Sequence, residues 1–146
     1  MLSLDSVRLD AITQEYASRS ALWTPDLQFR TDERWSTRLH ADDEFDVWLI
    51  TWLQEQSTTL HDHGGSAGAF TVVRGTLREY LPSGQEHELA AGSTRAFGAE
   101  YVHDVYNPYR DAAVSVHAYS PPLSLMSYYE LGVTGGLEQT VSTIIE

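Results

Sequence analysis

The sequence predicts one all-β domain, a sandwich or barrel of short strands behind a single helical lead-in. Three observations carry this reading. Short apolar runs recur at intervals of roughly 8–12 residues, each bounded by Gly, Pro or Asn. The 146 residues are 42% hydrophobic and 11% aromatic, a globular composition large enough for one core without staples. Helical periodicity is confined to the start of the chain, so the domain divides into a lead-in (1–30) and a β-region (35–146).

The elements follow in order. Leu9, Ile12 and Tyr16 fall at i, i+3 and i+7, with Asp5 or Ser6 available as a cap and Pro25 closing the region after Trp23. A second short helix is expected at Thr31, before Glu33 and Arg34. Strands begin near Trp35. "EFDVWLITWLQ" (44–54) is apolar on both faces, Phe45-Val47-Leu49 against Trp48-Ile50-Trp52, which suits a strand covered on both sides. "GAFTVVRGTLREYLP" (68–82) reads as a strand pair breaking near Arg74-Gly75, and "ELAAGSTRAFG" (88–98) as another with Gly92 at the bend. Strands follow in 100–108, 112–122 and 125–131, and the tail "GGLEQTVSTIIE" is expected to add a last one on an edge.

Charge and composition exclude several classes. A net charge of −12 and a pI near 4.7 argue against nucleic acid or an anionic membrane as partner. No run approaches the ~18 apolar residues of a spanning helix. The N-terminus carries acids and lacks a basic segment followed by an apolar run, so no secretory signal is expected. The chain reads as cytosolic, a monomer or weak homo-oligomer with a small-molecule partner. There is no cysteine, and all nine cations are arginine, which removes disulfides, thiolate ligands, Cys nucleophiles and Schiff-base lysines. Acid–base work falls to His, Tyr, Ser, Asp, Glu and Arg.

Residues 59–66, "TLHDHGGS", place His61 and His63 two apart. That spacing suits one strand face, where side chains at i and i+2 lie about 6–7 Å apart and can converge on an ion. His103 and His117 are candidates to complete such a site, whereas His40 and His87 read as hydrogen-bonded core or surface residues. Ser115, His117 and Tyr119 alternate, so they share the strand face opposite Val116 and Ala118 and can hydrogen-bond in series.

"HDHGGSAGAFTVVRG" resembles the first cupin motif, with His61, His63 and Gly75 in register and Gly68 at the acidic position. "GSTRAFGAEYVHDVYN" resembles the second, with Gly92, His103 and Asn107 in place and the internal Pro and Gly replaced by Gly98 and Glu100. "LITWLQEQSTTLHDHGGS" and "AAVSVHAYSPPL" are similar to the cysteine dioxygenase group of thiol dioxygenases over about residues 35–124. The resemblance implies a cupin double-stranded β-helix with Fe(II) held by His61, His63 and His103. It also implies insertion of both atoms of O₂ into a small thiol bearing a carboxylate, giving a sulfinate. It maps Ser115, His117 and Tyr119 onto the family's outer-sphere relay, the Tyr119 hydroxyl directed at the iron-bound oxygen or sulfur. It assigns the carboxylate to Arg38, with Arg34 or Arg30 as fallback because Ser36 replaces the family's Tyr and the following loop is shorter. Trp52 matches an aromatic near the family's site and equally suits barrel core. In animal members a cysteine is thioether-linked to the tyrosine; Gly68 stands at that position, so no Cys–Tyr cross-link can form.

The missing acidic ligand agrees with this chemistry. Three neutral imidazoles leave Fe(II) its full charge, which favours the thiolate of a bound thiol. A closed zinc site would need a fourth protein ligand, for which the sequence has no obvious candidate. L-cysteine is the first expected substrate. 3-Mercaptopropionate, a non-catalytic metal-binding cupin, and an isomerase or hydrolase on the same barrel remain as alternatives.

Overall fold

The computed structural model describes residues 3–145, so the first two residues of the lead-in and the last of the tail lie outside the described residues. Helix α1 spans Ser6–Ser18 and begins where Asp5 accepts the Arg8 N–H at 2.9 Å. That bond satisfies one of the amide donors a helix start leaves open. Leu9 and Ile12 are buried and Tyr16 is partly so, which is the expected apolar stripe. Short 3₁₀ turns at Ser20–Leu22 and Thr24–Asp26 follow, the second containing Pro25. They tuck Trp23 under the helix, its indole N–H donating to the Tyr16 carbonyl at 3.1 Å.

The helix expected at Thr31 does not form. Residues 31–33 bend, with Arg30 clamped on Asp32 through two hydrogen bonds of 2.8 and 3.1 Å. Too few residues remain before the first strand to offset helix nucleation.

Among the described residues ten strands follow: β1 (Trp35–Ala41), β2 (Asp46–Trp52), β3 (Ala67–Arg74), β4 (Thr76–Tyr80), β5 (Glu86–Ala90), β6 (Thr94–Phe97), β7 (Asp104–Tyr106), β8 (Ala113–Ser120), β9 (Leu125–Leu131) and β10 (Leu137–Ile144). They form a five-stranded sheet in the order β1-β2-β8-β3-β6, a three-stranded sheet β5-β4-β7 and a two-stranded sheet β10-β9. The two strands around Gly92 do not pair with each other: β5 joins β4, and β6 joins β3. The tail does add an edge strand, antiparallel to β9.

Two cores explain the two-faced apolar strands. Ile50, Trp52, Phe70 and Val72 of the large sheet meet Leu77, Leu89 and Val105 of the three-stranded sheet across the barrel interior. Val47, Leu49, Ala69, Val114, Val116 and Ala118 face the other way and meet Leu9, Ile12 and Trp23. Burying each large apolar side chain in this way is worth about 1.5–3 kcal/mol. Gly75 turns β3 into β4 at φ +74°, where a Cβ would collide with the Ala112 carbonyl, so glycine is required there. No helix among the described residues is long and apolar enough to cross a membrane.

Candidate metal centre and its cavity

The loop after β2 carries His61 and His63, and the segment before β7 carries His103. Reciprocal backbone bonds join the two: His61 N–H to the His103 carbonyl at 3.0 Å, and His103 N–H to the His61 carbonyl at 3.1 Å. All three imidazoles are buried, with one nitrogen of each within 4.8 Å of the others.

Each ring is held differently. The His61 Nδ1–H donates to the Thr59 carbonyl at 2.9 Å, leaving Nε2 free. His103 Nδ1 sits 2.8 Å from Glu79 Oε2, so Nε2 is again the free atom. His63 lies between Phe97 and Tyr119, ring centroids 4.7 and 5.3 Å away, and neither of its nitrogens has a hydrogen-bond partner among the described residues. A buried imidazole with two orphaned nitrogens is costly unless something coordinates it. Burial, reinforced by His103, lowers His61 to about 3, and burial holds His63 and His117 well below their ordinary value. His61 and His63 are therefore neutral near pH 7, the form a metal needs. The residues fit a metal ion.

Glu79 is fully buried and accepts from His103, from the Tyr101 hydroxyl at 2.9 Å and from Arg95 Nε at 2.9 Å. Burial, the largest single influence, would raise its pKa, but His103, Tyr101 and Arg95 together outweigh it and the group stays lowered. The sequence reading passed over Glu79. Its signal was an acid two positions after the core residue Leu77, on the inward face of β4.

Ser115, His117 and Tyr119 line the inward face of β8 as the alternation predicts. Ser115 Oγ is 2.7 Å from His117 Nε2, and Tyr119 Oη is 3.4 Å from His117 Nδ1. Trp52 lies fully buried beneath them, and its indole N–H donates to Ser115 Oγ at 2.9 Å. Of the two places the sequence allowed Trp52, beside the site as a substrate-binding aromatic or in the barrel core, it takes the core: it does not line the cavity and braces the polar row from behind. Burial pushes the Tyr119 phenol well above its ordinary range.

A cavity of about 180 Å³ opens against His61, His103, His117 and Tyr119, with Ile50, Leu123 and Met126 in its apolar wall. Arg34 lines it, half-buried, its guanidinium 5.2 Å over the Trp52 ring. Burial lowers its pKa, and it makes no ion pair or hydrogen bond through its side chain among the described residues. Arg38 does not line the cavity. Its guanidinium lies 4.6 Å over Trp48 and 3.6 Å from the buried Asp46 carboxylate, which already occupies it. Arg30 is likewise committed, to Asp32. The bulge between Arg38 and His40 in β1 is a local irregularity that sequence spacing does not reveal.

A family model described as cysteine dioxygenase type I matches residues 3–131. The cysteine dioxygenases type 1 of Rattus norvegicus and Homo sapiens are each 27% identical over 130 residues, covering 78% of this chain and 64% of theirs. The chain therefore spans under two thirds of these relatives. Among solved structures, a Thermus thermophilus protein superposes with a TM-score of 0.63 at 18% identity, covering 68% of this chain and 93% of its own. An RmlC-like cupin protein from Desulfovibrio desulfuricans gives 0.59 at 14% identity, covering 66% and 90%. At such identities the structural likeness establishes the cupin fold.

Proposed function

The chain belongs to the cysteine dioxygenase type I family, and on that footing we propose that it is an Fe(II)-dependent thiol dioxygenase acting on a small carboxylated thiol. L-cysteine is the first substrate of this reading and 3-mercaptopropionate the alternative. The observation that carries it is the buried His61–His63–His103 triad with no carboxylate among the described residues lining the cavity. His61, His63 and His103 would hold the ion. When bound, Fe(II) would coordinate the thiol as thiolate and activate O₂.

The remaining work falls to the chain. Arg34 takes the substrate carboxylate in the role first expected of Arg38, because it is the desolvated guanidinium facing the cavity and an anion relieves its isolation. The apolar wall of Ile50, Leu123 and Met126 excludes water around the reacting sulfur. Trp52 can only donate, so Ser115 accepts from it and its own O–H is free to donate a hydrogen bond to His117 Nε2. His117 then carries its proton on Nδ1, facing the Tyr119 oxygen, which leaves the Tyr119 O–H free to point into the cavity. Its raised pKa keeps that proton in place as a hydrogen-bond donor to developing negative charge. The balance is simple: RSH and O₂ give RSO₂H, the sulfur supplying four electrons to O₂ without another reductant.

Fe(II)-loaded protein should consume O₂ with L-cysteine or 3-mercaptopropionate and yield one sulfinate per O₂. No uptake with any thiol would leave a metal-binding cupin without this activity.

A further inference from the structure

Among the described residues, two non-glycine residues have positive φ, Glu55 (74°) and Thr59 (61°), both in the loop leading into His61. For a β-branched residue this conformation is costly and persists only when its surroundings impose it. The Thr59 N–H donates to Ser57 Oγ at 2.9 Å, and Ser57 in turn donates to Asp104 at 2.9 Å. Thr58 Oγ1 accepts from Val105 N–H at 2.9 Å and lies 2.8 Å from the Thr59 carbonyl. That same carbonyl receives the His61 Nδ1–H. Asp104 adjoins His103, so a second strand segment pins the loop.

We propose that Thr59 is a positioning residue for His61. Its left-handed backbone, pinned by Ser57 and through it by Asp104, aims a carbonyl at Nδ1 and so fixes which ring nitrogen faces the ion. The inference rests on His61 being a metal ligand. It distinguishes the three rings: His103 is oriented by a carboxylate, His63 by two aromatic faces, and His61 by a strained peptide.

The test titrates apo-protein with Co(II), read by its visible absorption. Ser57→Ala should weaken Co(II) affinity about tenfold, the scale on which groups that orient metal ligands act. Ser57→Ala/Thr59→Gly should return to within about threefold of wild type, because glycine holds positive φ without support. A Ser57 residue that serves only general stability would gain nothing from that glycine. Unchanged binding in Ser57→Ala, or a double variant no better than the single one, overturns the inference. Should Ser57→Ala fail to fold, long-range ¹⁵N NMR of wild-type apo-protein decides: His61 should carry its proton on Nδ1, and an Nε2–H tautomer overturns the proposal. Wild type that binds no Co(II) removes the metal centre itself; wild type that binds while the variants are insensitive removes only the role of Thr59.

Discussion

Gly68 shows how tightly the centre is packed. A Cβ there would stand 2.6 Å from the Phe97 ring and 3.0 Å from Tyr119, so Phe97 has taken the space an acidic ligand would need. The sequence exposes the glycine but not the ring above it, because the β3–β6 pairing that brings them together is non-local. Gly68→Ala should cost about 1–3 kcal/mol by overpacking, measured by urea denaturation, and Phe97→Leu should recover most of it. The histidines and the β8 row were legible because each ligand type sits in a short spaced motif. The arginine was not, since β1 residues near Arg38 bulge and the cavity wall is assembled from distant segments. Arg34→Ala should raise KM for carboxylated thiols at least about tenfold, as loss of a charged hydrogen-bonding partner does, with cysteamine far less affected. Arg38→Ala should not reproduce that selectivity. Tyr119→Phe should lower kcat while iron content stays unchanged.

Among the elements, β8 is buried along all eight residues, and its alternation divides polar row from apolar core. Period-two patterning made this strand readable from the sequence, and an apolar run on both faces did the same for β2. β7 was overestimated because much of 100–108 is spent elsewhere: His103 pairs with His61, and Asn107 donates to the Trp52 and Asp111 carbonyls. The partners of β5 and β6 were also out of reach, since neighbours in sequence here are not neighbours in a sheet. Helix α1 serves the outer core and touches no site residue's inward face. Leu9→Ala should therefore cost about 2–5 kcal/mol and lower Tm while kcat per iron stays at the wild-type value. A matching loss of kcat would show that the outer core transmits strain to the cavity.

At the scale of the whole molecule, burial keeps His61, His63 and His117 neutral, and this sets its response to acid. Folded His61 titrates at about 3 against an ordinary 6.5, and His63 and His117 are lowered in the same sense. The unfolded chain thus binds more protons below 6.5, so apo-protein stability should fall as pH drops through that window. Asp46 and Asp104, raised by burial, act oppositely but only nearer the carboxylate range. Urea midpoints of apo-protein between about pH 8 and about pH 5 isolate the histidines, and a flat profile would contradict a neutral buried trio. The reciprocal backbone pair between His61 and His103 has one more consequence. Those two amide protons cannot trade with heavy water unless the segments part, and parting them scatters the ligands. An occupied centre would thus make them slow clocks, while the solvent-exposed edge strand β10, held on one side by β9, would lose its protons sooner.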